Sequence, residues 1–329
     1  MIATPGARPD PDAGHGPGRW IVCVPARDEA ERLGVLLQAL AAQDVPGPVP
    51  VVVALNNTAD ASRSVVEAAA ARFDRLRVLV DEVRFPPALA HAGSARRRAL
   101  QLGALRLDGR ADGVLISTDA DTRPPPDWIS ANLEAIDAGA DLVGGRLALD
   151  EAEPLSPAAA RLRGLWDAYW AKVRRIEDAY DPCPHDPAPR HGDHTGASLA
   201  IRLPLHEAVG GVPPLPTGED VAFVRAAQAL GARLRHPEAV WTRVSPRRLG
   251  RAEGGMAEWM AGLERQAEGG APLRAPDLAH WRARVLWRRA FRALHGEAAR
   301  IEAEAALAPL PMDLVLAPGG PPSIERAAA

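Results

Sequence analysis

The chain has 329 residues, 47% of them hydrophobic, so it is long enough to bury a sizeable α/β core. Its formal net charge of −3 argues against a general nucleic-acid-binding protein, which would normally carry a strongly basic domain. The two cysteines, Cys23 and Cys183, form no Cys-x-x-Cys pair, which favours a reduced, cytoplasmic setting.

From residue 20 onward, apolar strands alternate with amphipathic helices. This alternation predicts an α/β fold with a mostly parallel sheet flanked by helices. We predict strands over residues 20–24, 49–55, 76–80, 113–117, 196–202 and 233–240. We predict helices over residues 29–42, 59–72, 93–107, 155–180 and 219–230, and a mostly helical region beyond residue 250.

The ends of the chain have a different composition. Residues 1–18 are rich in Pro, Gly and Asp and lack the apolar segment of a signal peptide, so we expect a disordered tail. The segment 309–329 starts in a Pro- and Gly-rich stretch and is predicted to be flexible. No run of apolar residues approaches the ~18 that a membrane-spanning helix requires, so we expect no such helix.

Two carboxylates, Asp119 and Asp121, come directly after the buried-strand pattern of residues 113–117. Open α/β sheets bind ligands outside the carboxyl ends of their strands. Carboxylates at i and i+2 can serve two ligands there, a nucleotide's ribose and a hard divalent cation such as Mg²⁺ or Mn²⁺. The alternative is a strand-end turn in which the acids merely cap a helix.

Five short motifs occur in order along the chain, over residues 24–30, 56–58, 118–121, 196–198 and 218–220. Each is weak alone, but their order and spacing resemble a family 2 glycosyltransferase with the GT-A fold across residues 19–251. The resemblance implies a nucleotide-binding half over 19–122, an acceptor half over 123–251 and a helical C-terminal extension over 252–308. It also implies a nucleotide-sugar donor, Mg²⁺ or Mn²⁺, and an acceptor that is a small molecule, a glycan or a lipid-linked compound.

The resemblance assigns roles only where a motif matches. The implied donor contacts are Pro25, Arg27, Glu29, Asn57, Asp60, Arg96 and Asp119. Arg97 and Arg98 are alternatives to Arg96, and Asp121 is the implied metal ligand. Direct attack of an acceptor hydroxyl on the anomeric carbon would invert its configuration.

Glu219 and Asp220 begin a predicted helix, where the helix dipole stabilises charged carboxylates. The resemblance makes Asp220 the catalytic base, with Glu219 orienting it or contacting the acceptor. The alternative is that both residues only cap the helix.

Two further segments carry clustered polar residues. Arg247, Arg248 and Arg251 are candidates for binding a diphosphate or a phosphorylated acceptor, because guanidinium groups pair bidentately with phosphate. A solvated basic loop is nearly as good an interpretation. The cluster His185, Asp186, His191, Asp193 and His194 matches no closed zinc site, and we favour an acceptor-facing loop with His194 close to the pocket.

Residues 280–294 combine aromatic and aliphatic side chains with five arginines. We favour packing in the core or in a homodimer, and the same pattern also suits the cytoplasmic face of an anionic membrane.

Three other functions are alternatives to sugar transfer. A nucleotidyltransferase would be expected to carry a Gly- and Lys-rich phosphate loop, which residues 25–29 lack. A non-catalytic GT-A-like binding protein remains open, although Asp121 and Asp220 are retained. A dinucleotide-dependent oxidoreductase is disfavoured, because no Gly-x-Gly-x-x-Gly follows the first strand.

Overall fold

The computed structural model describes residues 18–250 and 254–316. The strands in these ranges are β1 Trp20–Ala26, β2 Val49–Asn56, β3 Leu76–Val83, β4 Val114–Ser117, β5 Thr122–Arg123, β6 Leu142–Gly144, β7 Arg146–Leu149, β8 Leu199–Arg202, β9 Leu234–Arg235, β10 Trp241–Val244, β11 Leu273–Ala275 and β12 Leu314–Leu316. The helices are α1 Ala30–Ala41, α2 Ser62–Arg72, α3 Ala92–Leu107, α4 Trp128–Asp137, α5 Pro157–Tyr180, α6 Leu203–Val209, α7 Glu219–Ala229, α8 Met256–Gly269, α9 Leu278–His295 and α10 Glu297–Ala305. Among the helices described, none is both long and apolar enough to cross a lipid bilayer.

Within residues 18–250 the main sheet has the strand order β3-β2-β1-β4-β8-β6-β9. The pairs β3–β2, β2–β1, β1–β4 and β6–β9 are parallel, whereas β8 runs antiparallel to both of its neighbours. The predicted α/β fold with a mostly parallel sheet is therefore confirmed. The carboxyl ends of β1, β2 and β4 lie at one edge of the sheet, which brings the first three motifs together.

Alternate side chains of the central strands enter two separate cores. Val22 and Val24 of β1 pack with the leucines of α1 on one face, and Ile21 and Cys23 pack with α3 and α7 on the other. Burial on both faces explains why these strands read as nearly continuous apolar runs. Gly103 allows α3 to approach β1 closely, since a Cβ there would lie 2.5 Å from Cys23 Sγ.

The structure contains a second, smaller sheet, β5-β10-β7, and the predicted strand over residues 233–240 is shorter than expected. Only Leu234 and Arg235 of that segment form a strand, β9, which joins the main sheet. The next strand, β10, begins beyond the predicted range at Trp241 and pairs antiparallel with β5 and parallel with β7. Pro237 lies between β9 and β10, and proline cannot donate a backbone hydrogen bond to a continuous ladder. The small sheet fixes the chain after Asp121 against the chain that leads to Arg247.

The C-terminal region packs on α5 through a cluster of aromatic rings. The ring centroid of Trp166 in α5 lies 6.2 Å from that of Trp259 in α8, and the centroid of Trp170 in α5 lies 5.4 Å from that of Trp281 in α9. The structure differs from the predicted flexible tail at residues 314–316, because β12 pairs with β11 there. Of the two predicted tails, residues 1–17 and 317–329 lie outside the described residues.

The basic helix α9 also packs within the chain. Trp281 Nε1 donates to the Tyr169 hydroxyl at 2.6 Å, and Arg288 forms ion pairs with Glu177 and Glu304. These contacts agree with the packing that we favoured for residues 280–294. Leu286 remains 42% exposed, and contact of this helix with a membrane or a second copy stays a prediction.

His206 of α6 is buried beside the ring of Phe223. In the described part of the chain, neither of its ring nitrogens has a hydrogen-bond partner. Burial, reinforced by the charge of Arg97, lowers the pKa of His206 to about 4. The unfolded state therefore binds an additional proton between pH 6.5 and 4, and the stability that depends on neutral His206 is lost as the pH falls through this window.

We expect His206→Leu to weaken the pH dependence of stability. Between pH 8 and pH 5, protonation of this one residue in the unfolded state should cost the wild type roughly 2 kcal/mol that the variant keeps. Urea unfolding of both proteins at the two pH values measures the difference. Equal losses of unfolding free energy in the two proteins would contradict this assignment.

Candidate active site

The turn after β1 places a buried carboxylate at the start of α1. Glu29 occupies the N-cap position of this helix, and its backbone N–H donates to Ser62 Oγ at 2.9 Å. Its side chain is only 7% exposed, and both carboxylate oxygens lie 2.8 Å from guanidinium nitrogens of Arg247. The first motif is thus tied to the chain that follows β10.

The turn after β4 presents Asp119 and Asp121. The carbonyl oxygen of Asp119 accepts hydrogen bonds from the backbone N–H and the hydroxyl of Thr122, which closes a tight turn. Asp121 Oδ2 lies 3.0 Å from Arg247 Nη2. Burial raises the pKa of Asp121 to about 6; Arg247 opposes this effect, and the negative charges of Asp119 and Glu29 add to it.

Arg96 of α3 joins three of the motifs. Its side chain is 6% exposed and donates to Glu219 Oε1 at 3.0 Å, Asp119 Oδ1 at 2.8 Å, Ser117 Oγ at 2.9 Å and the carbonyl of Gly196 at 2.8 Å. Burial opposes its charge, but Asp119 and Glu219 outweigh burial and raise the pKa of Arg96 above its ordinary value. A Cβ at position 196 would lie 2.1 Å from the Arg96 guanidinium carbon, so a larger residue there would displace the guanidinium from its present position.

The backbone of Gly196 also holds Asp220. The backbone N–H of Gly196 donates to Asp220 Oδ2 at 2.8 Å, while its carbonyl accepts from Arg96. Asp220 lies in the first turn of α7, which follows Gly218 at φ +72°. The carboxylate is therefore oriented by a backbone donor and stabilised by the helix dipole.

These turns enclose a pocket of about 540 Å³. This volume lies in the range typical of small-molecule sites. The predicted site residues on its wall are Pro25, Arg27, Glu29, Arg96, Asp119, Asp121, Glu219, Asp220 and Arg247. Five carboxylates and three guanidinium groups thus face one space, and Met256, Ala257 and Trp259 of α8 line another part of the wall.

Two predicted nucleotide contacts are placed elsewhere in the described structure. Asp60 accepts backbone hydrogen bonds from Ala30 and Ser62, both at 2.9 Å, so it caps the starts of α1 and α2 and does not line the pocket. The Asn57 amide exchanges two hydrogen bonds with the backbone of Phe85, at 2.9 and 3.0 Å. Their expected contacts with the nucleotide are not supported by these positions.

The basic segment after β10 contributes one of its three candidates to the pocket. Arg247 lines the wall, whereas the Arg248 side chain is 65% exposed and lies 3.9 Å from Glu264. Arg251 lies outside the described residues.

His194 belongs to a buried chain of polar side chains rather than to the pocket wall. Asp186 Oδ2 lies 2.7 Å from His236 Nδ1, and His236 Nε2 lies 3.2 Å from His194 Nδ1. Burial, with the charges of His236 and Arg174, lowers the pKa of His194 to about 4, so this imidazole is neutral at pH 7. Among the described residues, no group of three or more His, Cys, Asp or Glu side chains is arranged to hold a metal ion.

Asn56 and His91 are among the polar residues of the pocket wall that sequence reasoning missed. Asn56 is 1% exposed and donates to the carbonyl of His91 at 3.1 Å, while its Oδ1 has no hydrogen-bond partner among the described residues. His91 caps α3 and also lines the pocket. Asn56 belongs to the second motif, where we chose its neighbour Asn57. No local signal pointed to Trp259.

We expect Arg96→Met to destabilise the protein by about 3–5 kcal/mol, because Glu219 and Asp119 would lose the cation that compensates their burial. Arg98→Met is the matched control on the same helix: Arg98 pairs with Asp81 at a side-chain exposure of 41% and should cost about 1 kcal/mol or less. Urea unfolding of both variants makes the comparison. A loss of unfolding free energy for Arg96→Met no larger than that for Arg98→Met would show that the contacts of Arg96 with Glu219 and Asp119 do not stabilise the fold.

Comparison with known proteins agrees with this architecture. Residues 21–182 match the family model "Glycosyl transferase family 2". No curated protein matches the chain.

The mannosyltransferase PcManGT from Pyrobaculum calidifontis, solved with GDP-Man and Mn²⁺, superimposes with a TM-score of 0.51 and 20% identity, covering 89% of this chain and 77% of its own. TarS 1-349 of S. aureus, solved with UDP, gives a TM-score of 0.50 and 16% identity, covering 84% of this chain and 72% of its own. The GT-A architecture that the motifs predicted is thus confirmed, and the predicted resemblance to family 2 glycosyltransferases is confirmed by the family-model match of residues 21–182.

Proposed function

We propose that the protein is an inverting, metal-dependent glycosyltransferase that moves a sugar from a nucleotide-sugar donor to an acceptor hydroxyl. The observation that carries the proposal is the convergence of Asp121 and Asp220, from separate motifs, on the wall of one pocket. The family match of residues 21–182 supports transfer of a sugar. The two carboxylates would divide the chemistry, one acting on the leaving group and the other on the acceptor.

The donor half of the proposal rests on the turns after β1, β2 and β4. Asn56 Oδ1 is a buried acceptor without a partner in the described chain, which suits an N–H group of a nucleobase. Asp119 would contact the ribose. GDP-Man in the Pyrobaculum enzyme and UDP-GlcNAc in S. aureus TarS 1-349 support a nucleotide-sugar donor for this fold.

The residues at this edge of the sheet fit a divalent cation. Asp121 and Glu29 lie close enough together to contact the same nitrogen of Arg247, and both offer the hard oxygen ligands that Mg²⁺ and Mn²⁺ prefer. One or two carboxylates suffice when diphosphate oxygens and water complete the coordination. Such a cation would act as a Lewis acid on the leaving diphosphate. The Mn²⁺ in the Pyrobaculum complex supports this assignment.

Asp220 would remove the proton of the acceptor hydroxyl. The Gly196 N–H fixes one of its oxygens, and its place in the first turn of α7 puts it beside the positive end of the helix dipole. General-base assistance of this kind is worth ~10²–10⁴ in rate. Attack by the activated hydroxyl opposite the departing diphosphate is a single displacement, which inverts the anomeric configuration.

Thermal unfolding with UDP-, GDP- and dTDP-sugars, each with Mn²⁺ or with EDTA, tests the donor and the cation together. A ligand at ~100 times its dissociation constant adds ~2.7 kcal/mol, which should raise the midpoint by about 4 °C. We expect one nucleotide to give this shift, EDTA to reduce it, and Asp121→Asn to lose the part that depends on Mn²⁺. A full shift that neither EDTA nor Asp121→Asn alters would contradict the metal role, and no shift with any donor would contradict the function.

A further inference from the structure

Arg247 lies between the two carboxylates that fit the cation. Its Nη1 donates to Glu29 Oε2 at 2.8 Å, and its Nη2 contacts Glu29 Oε1 at 2.8 Å and Asp121 Oδ2 at 3.0 Å. The three side chains are only 7–18% exposed. A positively charged group of the chain itself therefore pairs with the oxygens that would hold a metal ion.

The backbone around Arg247 keeps the guanidinium in this position. Thr122, next to Asp121, pairs with Val244 in the small sheet, and the N–H of Ser245 donates to the carbonyl of Asp121 at 3.2 Å. The N–H of Arg247 then donates to Ser245 Oγ at 3.3 Å. Arg247 is thus two residues beyond a segment in register with Asp121, so its contact with that carboxylate follows from the sheet.

The charges make the contact strong. Burial opposes the charge of Arg247, but the hydrogen bonds to Glu29 and the negative charge of Asp121 outweigh burial and raise its pKa. A divalent cation arriving alone must displace this guanidinium or bind within about 4 Å of it, and repulsion between charges at that distance lowers an affinity by about tenfold or more. An arriving diphosphate changes the situation, because it offers Arg247 a bidentate partner of its own.

We infer that Arg247 is an internal cation that competes with the divalent ion for Asp121 and Glu29 and is released when a diphosphate binds. The inference rests on the proposed function for the identity of that diphosphate. Cation and nucleotide then bind cooperatively, and each raises the affinity of the other by the same factor. Arg247 acts in both states, since it neutralises the carboxylates at rest and contacts the phosphates in the complex.

Mn²⁺ binding, measured from the electron paramagnetic resonance signal of the free ion, tests this directly. Without nucleotide, Arg247→Gln should bind Mn²⁺ at least about tenfold more tightly than the wild type. Arg247→Lys keeps a positive charge and should stay closer to the wild type. Arg243→Gln is the matched control: it removes the same charge four positions away, where Arg243 pairs with Glu151 outside the pocket, and should leave Mn²⁺ affinity unchanged.

The same titration with UDP or GDP measures the coupling. In the wild type, one of these nucleotides should raise the affinity for Mn²⁺ at least about tenfold, and the increase should be smaller in Arg247→Gln, where only direct contact between the diphosphate and the cation remains. Unchanged Mn²⁺ affinity of nucleotide-free Arg247→Gln, or equal coupling in both proteins, would overturn the inference. Because the first titration contains no nucleotide, it judges Arg247 even if the wild type binds neither UDP nor GDP, a result that would count against the proposed function instead.

Discussion

The buried guanidinium of Arg96 is the interaction on which the geometry of the pocket depends. It ties α3 to the Asp119 turn after β4, to Glu219 at the start of α7 and to the carbonyl of Gly196 before β8. Each of these groups belongs to a different part of the chain, and two of them are carboxylates that need a cation when buried. Since the backbone of Gly196 accepts from Arg96 and donates to Asp220, one arginine helps to orient both the Asp119 turn and the carboxylate of Asp220.

The parts of the fold and site that could be predicted from the sequence follow from local rules. β1, β2 and β4 are buried on both faces, so continuous apolar runs identified them. Parallel strands of one sheet must end at the same edge, so polar residues after those runs had to converge. Glu29, Asp119 and Asp121 were found in this way, and Glu219 and Asp220 followed from the recognised motif at the start of a helix.

The remaining features of the site depend on the direction in which each side chain points and on contacts between distant parts of the chain. A local sequence pattern contains neither kind of information. Arg96, Arg97 and Arg98 are consecutive, but each helical step turns the side chain by about 100°, so only Arg96 faces the turn after β4. Arg97 instead donates to backbone carbonyls, and Arg98 pairs with a surface carboxylate. Asp60 carries a carboxylate that could bind a nucleotide, yet that carboxylate accepts the backbone N–H of Ala30 at the start of α1. The contact of Glu29 with Arg247 spans most of the chain and required the small sheet.

Asp121 and Asp220 line one pocket, and we propose that the first serves the donor and the second activates the acceptor, so the most direct measurement separates donor binding from turnover. Asp220→Asn should bind the nucleotide-sugar donor as tightly as the wild type, while release of the nucleoside diphosphate during turnover falls at least about a hundredfold. Asp127→Asn, at an exposed helix cap outside the pocket, controls for the substitution itself. Turnover within a few-fold of the wild type, with donor binding intact, would contradict the assignment of Asp220 as the base.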